Sequence, residues 1–68
     1  MPSTAIRYFN YDSAARELHV TFTSGRRYVY AQVSPDVVTA FGRAPSRGAF
    51  FNAHIRDHYD YREEERVG

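Results

Sequence analysis

The segment Arg16–Phe22 alternates strictly between apolar and polar residues, and this pattern limits the fold more than any other in the chain. Leu18, Val20 and Phe22 fall on one face of an extended strand, and the residues between them fall on the other face. A strand buried on one side needs partner strands and an apolar cover. The chain has 68 residues and no cysteine, so neither a disulfide nor a thiolate zinc site can replace that cover.

Two flanking segments are predicted to supply the partner strands. Ile6–Tyr11 is rich in strand-forming residues and is followed by the turn-forming pair Asp12 and Ser13. Arg26–Ala31 follows a turn signal at residues 23–25. Because the connections are short, the three strands are expected to form an antiparallel meander.

Two helices are predicted to cover this sheet. The first begins after the N-cap Ser34, with Pro35 at its first position, and ends near Gly42. The second begins after the N-cap Ser46 and continues to about Tyr61. Its core-facing residues are spaced four apart, at Phe51, Ile55 and Tyr59.

These elements predict an α+β fold in the order β-β-β-α-α, with both helices packed on one face of the sheet. Residues 1–68 are expected to form a single domain, with residues 1–5 as a loose lead-in. Residues 62–68 are highly charged and are expected to be a frayed tail. Six Tyr and five Phe supply the large side chains that a core of this size requires.

Charge is distributed unevenly along the chain. Residues 1–56 contain seven Arg and three acids, whereas residues 57–68 contain two Arg and five acids. All nine basic residues other than histidine are Arg, which suits bidentate phosphate contacts but also follows from a GC-rich genome. A net charge of +1 is lower than that of a typical nucleic-acid-binding domain.

No apolar stretch is long enough to span a bilayer and no secretory leader is evident, so a soluble cytoplasmic protein is expected, with no membrane partner. The chain has no nucleophile elbow, Walker-type phosphate loop or pair of acids at catalytic spacing, and no enzyme activity or cofactor is expected. His54 and His58 have helical spacing, but a metal site normally needs a third ligand, and His19 is the only other histidine. No metal site is predicted.

The start of the second helix is the first candidate binding site. Ser46, Arg47 and Gly48 combine a hydroxyl, a guanidinium and a residue that permits close approach to the backbone, as a phosphate site requires. The alternative is that Gly48 only allows tight packing within the fold. Asn52 and Arg56 lie one turn apart and extend this polar track, unless Arg56 pairs with Asp60 instead.

The third strand offers a second candidate site. Tyr28 and Tyr30 point to the same side, where their rings would stack on unpaired bases if that side were open, with Arg26 or Arg27 holding the phosphates. If that side faces the helices, the tyrosines belong to the core. The second interpretation is favoured, because the opposite orientation would bury Arg27.

One set of residues shares its order and spacing with a known family: Tyr11, Asp12, Leu18, Val20, Phe22, Tyr28, Val29, Tyr30, Ala44, Ser46, Gly48, Phe50, Phe51, Asn52, Ile55, Arg56 and Tyr59. In this pattern the chain resembles the KTSC domain, a short module found at the C-terminus of some lysyl-tRNA synthetases and as small stand-alone bacterial proteins. Pro45 and Arg47 depart from the residues usual at those positions.

The resemblance implies RNA binding, of tRNA or of single-stranded RNA, by a small accessory module without established catalytic residues. The predicted RNA-contacting residues are Arg26, Arg27, Tyr28, Tyr30, Ser46, Arg47, Gly48, Asn52 and Arg56. The alternative is a protein-interaction module, monomeric or weakly homodimeric, for which the same aromatic residues and the modest net charge would serve.

Overall fold

A computed structural model describes residues 6–64. The strands are β1 (Ile6–Asp12), β2 (Glu17–Phe22), β3 (Arg27–Tyr30) and β4 (Tyr61–Glu64). Between β3 and β4 lie α1 (Pro35–Arg43), α2 (Arg47–Phe50) and a π-helical turn (Phe51–Ile55) that continues α2. The strands form one antiparallel sheet in the order β1-β2-β3-β4. The α+β class is therefore confirmed, with one strand more than the sequence predicted.

The register assigns each strand residue to one of two faces of the sheet. Leu18 lies opposite Tyr30, and Val20 lies opposite Tyr28. Leu18, Val20 and Tyr30 belong to the core cluster shared with the helices, and Tyr28 packs against that cluster; their face is called the helix-side face below. The other face, called the far face, carries the alternate residues, as the alternation in β2 predicts.

The core lies between the helix-side face and the helical segment. α1 contributes Phe41 and the π-helical turn contributes Ile55, and both side chains are fully buried. Val33, just before α1, is also fully buried. Burial of large apolar side chains supplies the main stabilisation of so small a domain.

Both predicted helix starts are confirmed by their caps. The hydroxyl of Ser34 accepts a hydrogen bond from the Val37 amide at 3.4 Å, with Pro35 following at the first helical position. The hydroxyl of Ser46 accepts from the Ala49 amide at 3.2 Å. In each case the side chain accepts from an amide of the first helical turn, and the Val37 amide also donates to the Ser34 carbonyl at 3.1 Å.

The prediction that the second helix continues to about Tyr61 is wrong. Helical structure ends at Ile55, where the Arg56 amide donates to the Phe51 carbonyl at 2.8 Å and closes a π-type turn. Asp57 then adopts a φ of 75°, a left-handed conformation that breaks the helix and redirects the chain. Spacing alone did not reveal this end, because the apolar pattern continues to Tyr59.

The prediction of a frayed tail from residue 62 is also wrong for residues 62–64, which lie in β4. This charged strand pairs with β3, and two ion pairs accompany the pairing: Arg27 Nη1 lies 3.2 Å from Glu64 Oε1, and Arg62 Nη1 lies 3.5 Å from Glu17 Oε2. The rest of the predicted tail, residues 65–68, and the predicted lead-in, residues 1–5, lie outside the described residues.

One long-range hydrogen bond ties β1 to the start of α1. The Tyr11 hydroxyl donates to the Val33 carbonyl at 2.6 Å, across 22 positions of sequence. This carbonyl lies beside the fully buried Val33 side chain, where water is a poor substitute partner.

Tyr11→Phe should therefore lower the free energy of unfolding by about 1 kcal/mol, measured by urea denaturation. Tyr61→Phe is the matched control, because Tyr61 is 59% exposed and its hydroxyl forms no hydrogen bond among the described residues. Equal stability of the two variants would contradict a structural role for the Tyr11 hydroxyl.

Candidate functional site

The nine residues predicted to contact RNA do not form one site. Arg26, Tyr28, Tyr30 and Arg56 line a common groove on the helix-side face. Ser46, Arg47 and Gly48 lie at the start of α2, and none of them lines that groove. Arg27 lies on the far face, and Asn52 contacts Arg56 on the helical surface.

Three tyrosines form the centre of this groove, called the aromatic groove below. The ring centroids of Tyr28 and Tyr61 are 5.4 Å apart, with the rings almost parallel at 7°. Tyr30 also stacks on Tyr61, at 5.5 Å and 30°. Tyr61 therefore lies against both tyrosines of β3, and it is itself 59% exposed.

Two phenylalanines hold these rings from below. Phe22 meets Tyr28 edge-to-face at 5.5 Å, and Phe51 meets Tyr30 edge-to-face at the same distance. Phe22 and Phe51 also contact each other at 5.5 Å. Such edge-to-face pairs fix ring orientation as well as burying area, so the groove has a preformed aromatic wall.

The groove contains a cavity of about 430 Å³ that is open to solvent on one side. Tyr30 forms its floor with only 3% of its surface exposed. The cavity is large enough for a flat ring system with attached polar groups. Its lining residues are Phe22, Ser24, Arg26, Tyr28, Tyr30, Phe51, Arg56, Asp57 and Tyr61.

Charged side chains are found at the rim. Arg26 Nε lies 3.9 Å from Glu63 Oε2, and both side chains are largely exposed. Arg56 Nη1 donates to Asn52 Oδ1 at 3.5 Å, a long hydrogen bond across one helical turn. The Arg56 guanidinium forms no ion pair with Asp60 among the described residues. Both arginines thus retain donors that can reach a ligand.

The phenol at the floor is strongly perturbed. Burial raises the pKa of Tyr30 well above its usual range, and the neighbouring phenols of Tyr61 and Tyr28 raise it further. The Arg56 guanidinium acts in the opposite direction, and Asp57 raises the pKa again. Tyr30 therefore stays a neutral hydrogen-bonding group at physiological pH.

The predicted phosphate site at the start of α2 has a different environment. Its hydroxyl is already used, because Ser46 Oγ accepts the Ala49 amide. The Arg47 guanidinium lies 5.5 Å above the centre of the Phe9 ring, a cation–π contact within the protein.

Arg27 is part of a row of side chains across the far face. The row runs through one residue of each strand: Tyr8, Thr21, Arg27 and Glu64. Arg27 Nε donates to Thr21 Oγ1 at 3.3 Å, and Arg27 Nη1 donates to Glu64 Oε1 at 3.2 Å. Hydrogen bonds with Thr21 and Arg27 lower the pKa of the exposed Tyr8 phenol. Arg27 thus stabilises the sheet and cannot reach the aromatic groove.

The orientation of Tyr28 and Tyr30 follows the interpretation favoured from sequence, since both lie on the helix-side face. A tyrosine of β3 can nevertheless belong to the core and line a binding site at the same time. Tyr30 is buried in the core cluster, yet the same ring forms the floor of the open groove.

Five of the nine lining residues were not predicted as binding residues. Phe22 and Phe51 were assigned to the core and Ser24 to a turn; the other two are Tyr61 and Asp57. Both lie after the point where the helix ends, and the chain there was expected to remain helical. One signal was present: aspartate tolerates a positive φ better than most residues, which made Asp57 a candidate helix end.

The two histidines at helical spacing do not face each other on a helix. His54 packs on the Phe50 ring at 4.6 Å, whereas His58 follows the end of the helical segment. Residues 6–64 contain no group of three metal-ligating side chains. Among the same residues, no helix has the length and apolar character needed to cross a membrane.

Comparison with known proteins finds similar sequences and a similar structure. The family model of the KTSC domain matches residues 2–59. An uncharacterised protein of Stutzerimonas stutzeri is 39% identical over 62 residues, covering 90% of this chain and 87% of that protein. A KTSC domain protein of Yersinia pestis, known from a crystal structure, has a TM-score of 0.84 with 28% identity, covering 96% of this chain and 94% of that one.

A much larger protein contains a similar segment. A lysine–tRNA ligase of Nostoc punctiforme is 32% identical over 60 residues, which are 88% of this chain but only 11% of the ligase. The chain therefore corresponds to a small part of that enzyme.

The raised pKa of Tyr30 predicts how stability depends on pH. Above pH of about 10 the unfolded chain loses this proton while the folded chain keeps it, so the free energy of unfolding should fall as pH rises. Tyr30→Phe should flatten this decline, measured by urea denaturation over an alkaline series.

Tyr8→Phe is the matched control, because the pKa of Tyr8 is lowered and its removal acts in the opposite direction. The interpretation fails if Tyr30→Phe leaves the alkaline decline as steep as in the parent protein.

Proposed function

The chain belongs to the KTSC domain family, and we propose that it is a non-catalytic accessory module that binds single-stranded RNA weakly in the aromatic groove. The observation that carries this proposal is the stack of Tyr28 and Tyr30 against Tyr61, with arginines at the rim. Such a role would place the protein in the cytoplasm.

The exposed face of Tyr61 supports base stacking. Stacking on two rings already holds Tyr61 in place. A base that stacks on Tyr61 therefore costs little additional side-chain entropy. Each base stacked on an aromatic side chain contributes about 1–3 kcal/mol, with little dependence on base identity. Unpaired bases can present such a face to the groove, whereas paired and stacked bases cannot.

The rim arginines support phosphate binding. Arg26 and Arg56 both line the cavity. Arg26 immediately precedes β3, and Arg56 immediately follows the π-helical turn. A single strand that stacks a base on Tyr61 would pass its phosphates along this rim. Arginine is well suited to this contact because its planar guanidinium can bind two phosphate oxygens at once.

The same rim explains why the binding is proposed to be weak. Glu63 lies 3.9 Å from Arg26 and competes with phosphate for it. With two arginines engaged, the electrostatic contribution falls well below that of proteins with many phosphate contacts. Weak binding suits an accessory segment, and the lysine–tRNA ligase that contains a relative of this chain is an enzyme whose named substrate is an RNA.

A protein partner is the second candidate, because two aromatic residues are exposed: Tyr8 at 50% on the far face and Tyr61 at 59% on the helix-side face. Exposed tyrosines are common in protein interfaces.

The binding proposal is tested by fluorescence anisotropy with labelled oligouridine at several salt concentrations. Tyr61→Ala should weaken binding by about 1–3 kcal/mol through lost stacking, while Tyr61→Phe should bind like the parent protein. Arg56→Glu should weaken binding and make it less dependent on salt.

Arg47→Glu is the matched control for charge, because it changes the net charge equally but lies away from the groove. If Arg47→Glu weakens binding as much as Arg56→Glu does, the groove is not the site. Absence of binding at low salt would overturn the proposal, and a dimer that Tyr61→Ala dissociates would favour the second candidate.

A further inference from the structure

The aromatic groove contains a carboxylate that the proposed phosphate and base contacts do not use. Asp57 lines the cavity beside Arg56 and comes close enough to Tyr30 to influence the pKa of its phenol. Its φ of 75° is uncommon for a residue other than glycine. The end of the helical segment therefore holds Asp57 in a conformation that places it at the groove.

The Asp57 carboxylate forms no ion pair with an arginine or histidine among the described residues. An anionic oxygen beside a phosphate would repel it, so this part of the groove is unsuited to the backbone phosphates. It is suited to a group that donates a hydrogen bond, since an ionised carboxylate only accepts. A ligand of this groove should therefore present a donor next to a phosphate.

A ribonucleotide has this arrangement. Its 2′-hydroxyl and its 3′-phosphate are attached to adjacent carbons of the sugar, and Asp57 and Arg56 both line the groove. The base on the same sugar supplies the flat face for Tyr61. A deoxyribonucleotide offers the same phosphate and base but lacks the donor.

We propose that Asp57 accepts a hydrogen bond from the ribose 2′-hydroxyl and thereby makes the aromatic groove selective for RNA over DNA. This inference rests on the proposed function, since it specifies which single strand the groove prefers. Arg56 binds the adjacent phosphate and Tyr61 stacks on the base, so the sugar lies between the two. Selectivity then depends on one carboxylate, whereas affinity depends on the aromatic and basic residues.

The test compares oligouridine with oligodeoxyuridine by fluorescence anisotropy, because the two share a base that has no exocyclic amino group. The parent protein should bind the RNA about tenfold more tightly, as expected for one hydrogen bond to a charged acceptor. A 2′-fluoro oligouridine has no donor but keeps the sugar conformation of RNA, and it should bind as weakly as the DNA.

Asp57→Gly removes the carboxylate and tolerates the positive φ, so it should bind RNA and DNA equally, with the affinity for DNA unchanged or higher. Asp60→Asn, which removes a nearby negative charge outside the groove lining, should retain the preference. If Asp57→Gly does not fold, the 2′-fluoro comparison on the parent protein still tests whether the preference depends on the 2′-hydroxyl donor.

Equal binding of RNA and DNA by the parent protein would overturn the inference and leave the proposed function standing. A 2′-fluoro strand that binds like RNA would also overturn it, because the preference would then come from sugar conformation. A preference that persists in Asp57→Gly would exclude Asp57 as its source. Absence of binding to all strands would overturn the proposed function together with the inference.

Discussion

The structure depends on covering one face of a four-stranded sheet with a short helical segment. α1 and the π-helical turn bury the centre of the helix-side face, where Leu18, Val20 and Tyr30 meet Phe41 and Ile55. This cover does not extend over β4, because the chain has to leave the helical segment to form that strand. Tyr61 therefore stays 59% exposed while Tyr30 is buried, and the groove is a direct result of this partial cover.

The end of the helical segment determines both the fold and the site. A helix continued past Ile55 would carry Asp57 and Tyr61 away from the sheet, and β4 would not form. The π-type hydrogen bond of Arg56 and the positive φ of Asp57 instead return the chain to β3. π-type turns frequently occur at functional sites. Here the same turn places an arginine and a carboxylate at the rim of the groove and Tyr61 against its wall.

Local sequence signals predicted most of the fold, because they act over a few residues. Alternation identified β2, turn residues bounded β1 and β3, and the caps Ser34 and Ser46 marked both helix starts. β4 was missed because its sequence shows no apolar alternation. The contacts that hold it are with β3, which is distant in sequence: backbone pairing, the stacking of Tyr61, and the ion pair between Arg27 and Glu64. For the candidate site, sequence identified the tyrosines of β3 but grouped them with Ser46 and Arg47, which the fold places elsewhere.

The central claim is that the aromatic groove, and not the start of α2 or the far face, is the binding surface. Amide chemical shifts measured by NMR during titration with oligouridine test it most directly, because every region of the chain reports at once. The account predicts shifts that saturate together at Tyr28, Tyr30, Arg56 and Tyr61, with little change at residues 46–48 or in the far-face row. Saturable shifts centred on residues 46–48, or on Thr21 and Arg27, would contradict it.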